Sequence, residues 1–97
     1  MTKDKIRTVI GCYRTKLETM GLSKERYPIN KILIDQKPGL AHCLYMIDEI
    51  EELLDQDRLE KAFRWYGFLQ ACLWSFGVYT VEDLKNHSRP DIDILPS

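Results

Sequence analysis

The sequence predicts an all-α fold: an antiparallel hairpin of two helices, with a helix before it and a short helix after it. Three observations predict it. Apolar residues recur at three- and four-residue spacing in three long windows. Residues with helix-capping chemistry stand at the window edges. The one extended-looking run has no second run to pair with as a sheet. The length of 97 residues suits a single domain spanning residues 1–97.

The first helix is expected over residues 3–20. Ile6, Val9, Ile10, Tyr13, Leu17 and Met20 make one apolar stripe. Thr2 is its N-cap, and Gly21 ends it because glycine enters the left-handed region without a Cβ penalty. Gly11 inside the helix costs up to ~1 kcal/mol relative to Ala. That points either to close approach by a neighbouring helix or ligand, or to mere tolerance.

A long loop is expected over residues 22–39. Tyr27-Pro28 turns the chain away from helix, residues 29–34 read as extended, and Lys37-Pro38-Gly39 reads as a turn. The second helix is expected over residues 40–54, burying Leu40, Cys43, Leu44, Ile47, Ile50 and Leu54. Asp48, Glu49, Glu51, Glu52 and Asp55 lie largely opposite, against the helix dipole, so this helix needs a cationic neighbour or firm packing.

Asp55-Gln56-Asp57 is a short turn, and so short a connection makes the second and third helices antiparallel neighbours. The third helix is expected over residues 58–76, with Asp57 and Glu60 as an N-capping pair and Gly77 as its stop. Thr80-x-x-Asp83 starts the last helix, over residues 81–87, with Val81 and Leu84 facing inward. Residues 88–97, with two prolines, read as an extended tail.

The third helix is apolar on more than one side. One stripe is Leu59, Phe63, Tyr66, Leu69, Leu73 and Phe76; a second holds Ala62, Trp65, Phe68 and Cys72. Trp74 lies off both. Gly67, Ala71 and Ser75, four apart, form a shallow groove that admits another helix. A three-helix monomer does not cover all of this, and monomers rarely expose apolar patches above a few hundred Å². A homo-oligomer interface is therefore expected at Trp65, Gly67, Phe68, Ala71, Cys72, Trp74 and Ser75.

The bulk composition excludes several classes. At 44% hydrophobic and 30% charged, the chain is too apolar for disorder and too charged for a membrane protein. Its most apolar stretch, residues 62–76, contains Arg64, Gln70 and Ser75 and is shorter than the ~18 residues of a membrane span. Residues 1–7 lack the apolar run of a secretory signal. Cys12, Cys43 and Cys72 are odd in number and lack metal or redox spacing, so free thiols in a reducing cytosol are expected. The expected location is cytoplasmic.

Catalytic patterns are sparse. Glu49-x-x-Glu52, with Asp48, places carboxylates one turn apart. All-α pyrophosphohydrolases of the MazG type hold Mg²⁺ with such a pair and a second pair on the next helix. Here the second pair is missing, since Glu60 is followed by Phe63 and by no further carboxylate in that helix. His42 and His87 have no zinc-ligand spacing, and no Gly-rich phosphate loop is present. No cofactor or metal is expected.

The charge is unevenly spread. Residues 1–38 carry nine basic and four acidic groups, and residues 39–97 carry five and eleven, for a net charge of −1. Such asymmetry guides intramolecular docking, subunit pairing or anion binding. Cations of the first helix and its loop are interleaved with Tyr13 and Tyr27. Tyr13, Arg14, Lys24, Arg26 and Tyr27 are the candidate nucleotide or anion site, with rings stacking and cations neutralising phosphate. The pI near 6.1 argues against duplex nucleic acid.

Arg64-Trp65, Gly67-Phe68, Leu73-Trp74, Gly77, Tyr79-Thr80, Asp83-Leu84 and His87 carry a resemblance to small proteins encoded by tailed bacteriophages. Tyr27-Pro28 and residues 42–50 look similar too, so that about two-thirds of the chain is covered. The resemblance implies a phage source and supplies no catalytic residues. Small phage accessory proteins often inhibit host factors or sequester immune signalling nucleotides. The expected function is a non-enzymatic, homo-oligomeric counter-defence protein that sequesters a small anionic nucleotide, such as a cyclic nucleotide, or a host protein. The alternatives are a Mg²⁺-dependent MazG-like hydrolase and an assembly protein without a small ligand.

Overall fold

The computed structural model describes residues 1–89. Four helices follow in order: α1 (Lys3–Thr19), α2 (Gln36–Asp55), α3 (Leu59–Ser75) and α4 (Val81–His87). No strand occurs among the described residues. α2 and α3 form the antiparallel hairpin, α1 packs along α2, and α4 closes one end. The expected tail beyond Arg89 lies outside the described residues.

Three of the four helices begin or end on signals legible in the sequence. Thr2 caps α1, its hydroxyl accepting from Lys5 N at 3.1 Å. At the other end Gly21 takes φ +86°, Gly21 N donates to Glu18 O and Leu22 N donates to Leu17 O. This is a Schellman ending, which satisfies carbonyls the helix leaves open. α3 ends the same way on Gly77, at φ +76°. Thr80 and Asp83 cap α4 reciprocally, at 3.0 Å in each direction.

The α2–α3 turn differs from expectation. Asp57 does not cap α3; it sits at φ +59° as the residue that ends α2, with Asp57 N donating to Leu54 O and Arg58 N to Leu53 O. A residue in the left-handed region cannot supply the extended backbone of an N-cap. α3 therefore starts at Leu59 with no side-chain cap.

α2 also begins earlier than the sequence suggests, at Gln36 rather than near Leu40. Lys37-Pro38-Gly39 is its first turn. Proline is tolerated there, because first-turn N–H groups have no intrahelical partner. Gly39 lies directly beneath Phe76: a Cβ there would stand 2.5 Å from the ring's Cε2 and Cζ. Gly11, by contrast, has nothing within 4 Å of its Cβ position, so it is tolerated rather than required.

The core draws Ile6, Val9, Ile10, Tyr13 and Leu17 from α1 and Leu40, Cys43, Leu44, Ile47, Ile50 and Leu54 from α2. α3 buries Ala62, Tyr66, Leu69 and Leu73. Ala62 thus belongs to the buried stripe, and Phe63 turns outward. Val81 is also exposed, whereas His87 is fully buried in its place beside Leu84. In the loop, Ile29, Ile32 and Ile34 are each more than 80% exposed. No helix among the described residues is long and apolar enough to cross a membrane.

Candidate functional site

The five residues of the expected anion site do not converge. Tyr13 is fully buried, its hydroxyl 2.8 Å from His87 Nδ1, so its ring is not available to a base. Arg14 binds Asp48 at 2.7 Å and Glu51 at 2.8 Å. Lys24 binds the other oxygen of Asp48 at 2.8 Å. Arg7 and Lys3 pair with Asp55 and Asp57 in the same manner. The positive α1 side is thus docked on the acidic side of α2 within one chain, which gives α2 the cationic neighbour its dipole requires. The carboxylates hold Arg14 and Lys24 more firmly protonated, and Lys24 and Arg14 together hold Asp48 below its ordinary value.

The same ion pairs engage Asp48, one of the three carboxylates of the hydrolase alternative. Both oxygens of Asp48 accept from cations. Among the described residues no three His, Cys, Asp or Glu side chains converge on one point.

Arg26 and Tyr27 lead instead to a different surface. Tyr27 N donates to His42 Nδ1 at 3.0 Å, and the Tyr27 hydroxyl donates to Ile32 O. Arg26 stands 5.4 Å above the Tyr45 ring, a cation–π distance. Tyr45 lies 5.2 Å from His42 and 6.5 Å from Trp65. Beside this aromatic run the hairpin opens a groove of about 460 Å³, lined by His42 and Met46 of α2 and by Lys61, Arg64, Trp65 and Phe68 of α3.

The groove follows from helix periodicity. Lys61, Arg64, Trp65 and Phe68 are spaced i, i+3, i+4 and i+7, and so share one face of α3; His42 and Met46 are i and i+4 on α2. Among the described residues no carboxylate pairs with Arg26, Lys61 or Arg64. His42 spends its Nδ1 accepting from Tyr27, which leaves Nε2–H as the donor of the neutral ring. Burial, and then the nearby Arg26 charge, lower the His42 pKa, so the ring serves as a neutral donor. The groove therefore offers two aromatic faces, free cations and a thioether floor. That combination suits a planar ligand carrying negative charge.

Sequence reading missed Lys61, Arg64, His42, Met46 and Tyr45. The i, i+3, i+4, i+7 mixture of cations and aromatics was the available signal, hidden because Arg64 reads as an interruption of an apolar helix.

Five of the seven residues expected at an interface lie exposed on the outer face of α3. Gly67, Phe68, Ala71, Trp74 and Ser75 are exposed, Phe68 at 61% and Trp74 at 54%. Nothing lies within 4 Å of the Gly67 Cβ position, so the small-residue groove is open to solvent. Trp65 and Cys72 are half-buried against the core instead. On the far flank, Trp74 and Ala71 border a cleft of about 550 Å³ with Val81, Leu84, Lys85 and Arg89. No family model, curated protein or solved structure matches the chain.

Proposed function

We propose that the protein is a non-enzymatic binding protein for a small anionic nucleotide, held in the groove between α2 and α3. The observation that carries this reading is the pairing of unpartnered Lys61 and Arg64 with the Trp65 and Phe68 rings on one helix face. A base stacks on the rings, and phosphate oxygens accept from Arg64, Lys61 and His42 Nε2–H. Aromatic stacking of this kind contributes roughly 1–3 kcal/mol per base, enough to favour nucleotides over free phosphate by about fivefold to a hundredfold.

The chain self-associates, in this reading, along Gly67, Ala71, Trp74 and Ser75. The exposed aromatic flanks supply the apolar area, and the small residues allow close helix approach. The groove then lies beside the subunit junction, with Phe68 at its edge. Sequestration of a signalling nucleotide by a phage counter-defence protein fits such a groove.

A thermal-shift panel of cyclic dinucleotides, cyclic trinucleotides and nucleoside triphosphates tests the ligand class. At least one is expected to raise Tm, and Arg64→Ala with Lys61→Ala to abolish the rise. No shift by any member of the panel contradicts the reading. Light scattering at high micromolar concentration tests self-association, and a strict monomer removes that part.

A further inference from the structure

Cys43 and Cys72 face one another across the hairpin. The register shows this independently of the thiols. Gly39 meets Phe76 in direct contact; Cys43 is four residues after Gly39 and Cys72 four before Phe76, so in an antiparallel pair they stand opposite one turn further along. Cys43 is fully buried in the core, and Cys72 is half-buried at the groove flank of α3, one turn beyond Phe68. Cys12 lies apart from them, exposed on α1.

We infer that Cys72 and Cys43 form a thiol–disulfide exchange pair, with Cys72 as the attacking sulfur and Cys43 as the resolving sulfur, oxidised by low-molecular-weight disulfides. The roles follow from access: a small disulfide reaches Cys72 and not Cys43. In the same sense, the neighbouring Cys72 and then burial push the Cys43 thiol up, so the more accessible sulfur is also the one that ionises first. Cys72 Sγ attacks one sulfur of the external disulfide. A mixed disulfide forms, and the expelled thiolate takes up the proton Cys72 has lost. Cys43 Sγ then attacks Cys72 Sγ, and the second small thiolate leaves with the Cys43 proton. Two protein thiols are oxidised, and one external disulfide is reduced to two thiols. The product ties α2 to α3 beside the groove whose walls those helices supply.

The experiment uses the full chain carrying Cys12→Ser, incubated with glutathione disulfide, quenched with N-ethylmaleimide and read by intact-mass and peptide mass spectrometry. The expected product is a monomer-mass species lacking two hydrogens, unlabelled by maleimide, with one cross-linked peptide joining Cys43 to Cys72. A Cys43→Ala variant is expected to halt at a glutathione adduct on Cys72. Maleimide on both cysteines after prolonged exposure, or a Cys72 adduct that persists while Cys43 is present, overturns the inference.

Discussion

His87 is a titratable ring buried with only one nitrogen satisfied. Nδ1 meets the Tyr13 hydroxyl, while Nε2 is a buried polar atom without a partner among the described residues. Gln70 extends the network, its amide donating towards the Tyr13 and Tyr66 hydroxyls and Ser88 Oγ. Burial lowers the His87 pKa; Asp83 opposes the shift and Lys5 adds to it. A depressed histidine binds fewer protons folded than unfolded, so its stabilising contribution is complete above the unfolded value near ~6.5 and is lost as pH falls from there through the folded value. His42 acts in the same direction. Denaturant titrations between about pH 7 and pH 5 should therefore show stability falling by at most ~1.4 kcal/mol per pH unit for each histidine. His87→Gln should flatten that slope, whatever it does to stability at neutral pH. Gly39 makes a second residue-scale prediction. Gly39→Ala drives a methyl into the Phe76 ring and should destabilise by about 1 kcal/mol, the overpacking exceeding the helix-propensity gain. Combining it with Phe76→Leu should recover the loss, which thermal melts of the double variant would check.

The helices themselves were largely legible, because periodicity and caps act locally. Ile6 through Leu17, the Thr80–Asp83 cap and the Gly21 and Gly77 stops all follow from neighbours in sequence. The misread boundaries are where two local readings compete. Asp57 has the chemistry of an N-cap, yet the turn needs a left-handed residue, and the chain places Asp57 there. Asp57→Gly should consequently stabilise the hairpin by about 1 kcal/mol, the usual cost of that backbone region for a residue with a Cβ. The start of α2 was hidden by Pro38, which reads as a turn in isolation and sits without cost in a first turn. The candidate site was less legible than the elements. Whether Arg14 is free or paired depends on Asp48 and Glu51, 34 and 37 positions away, and no local pattern reports that. At the level of α3, Gly11→Ala and Gly67→Ala form a matched pair, since neither Cβ meets anything within 4 Å in the single chain. Both should raise monomer stability by up to ~1 kcal/mol. Only Gly67→Ala should weaken self-association, as sedimentation of both variants would reveal.

For the molecule as a whole, folding engages four of the nine cations of residues 1–38 in ion pairs with acidic groups. The basic N-terminal part and the acidic α2 meet as Arg7–Asp55, Arg14–Asp48, Arg14–Glu51 and Lys24–Asp48. The proposed ligand site uses a different cationic set, Arg64 and Lys61 at the aromatic groove. The proposal thus separates a structural cation from a binding cation by its partners rather than by its position in the sequence. It also makes the account testable by one comparison. Calorimetric titration of the best nucleotide from the panel into the native chain, Arg64→Ala and Arg14→Ala should give measurable binding, binding weakened at least ~10-fold (about 1.4 kcal/mol), and binding close to native, respectively. Loss of binding in Arg14→Ala with retention in Arg64→Ala, or no heat of binding to the native chain, would contradict it.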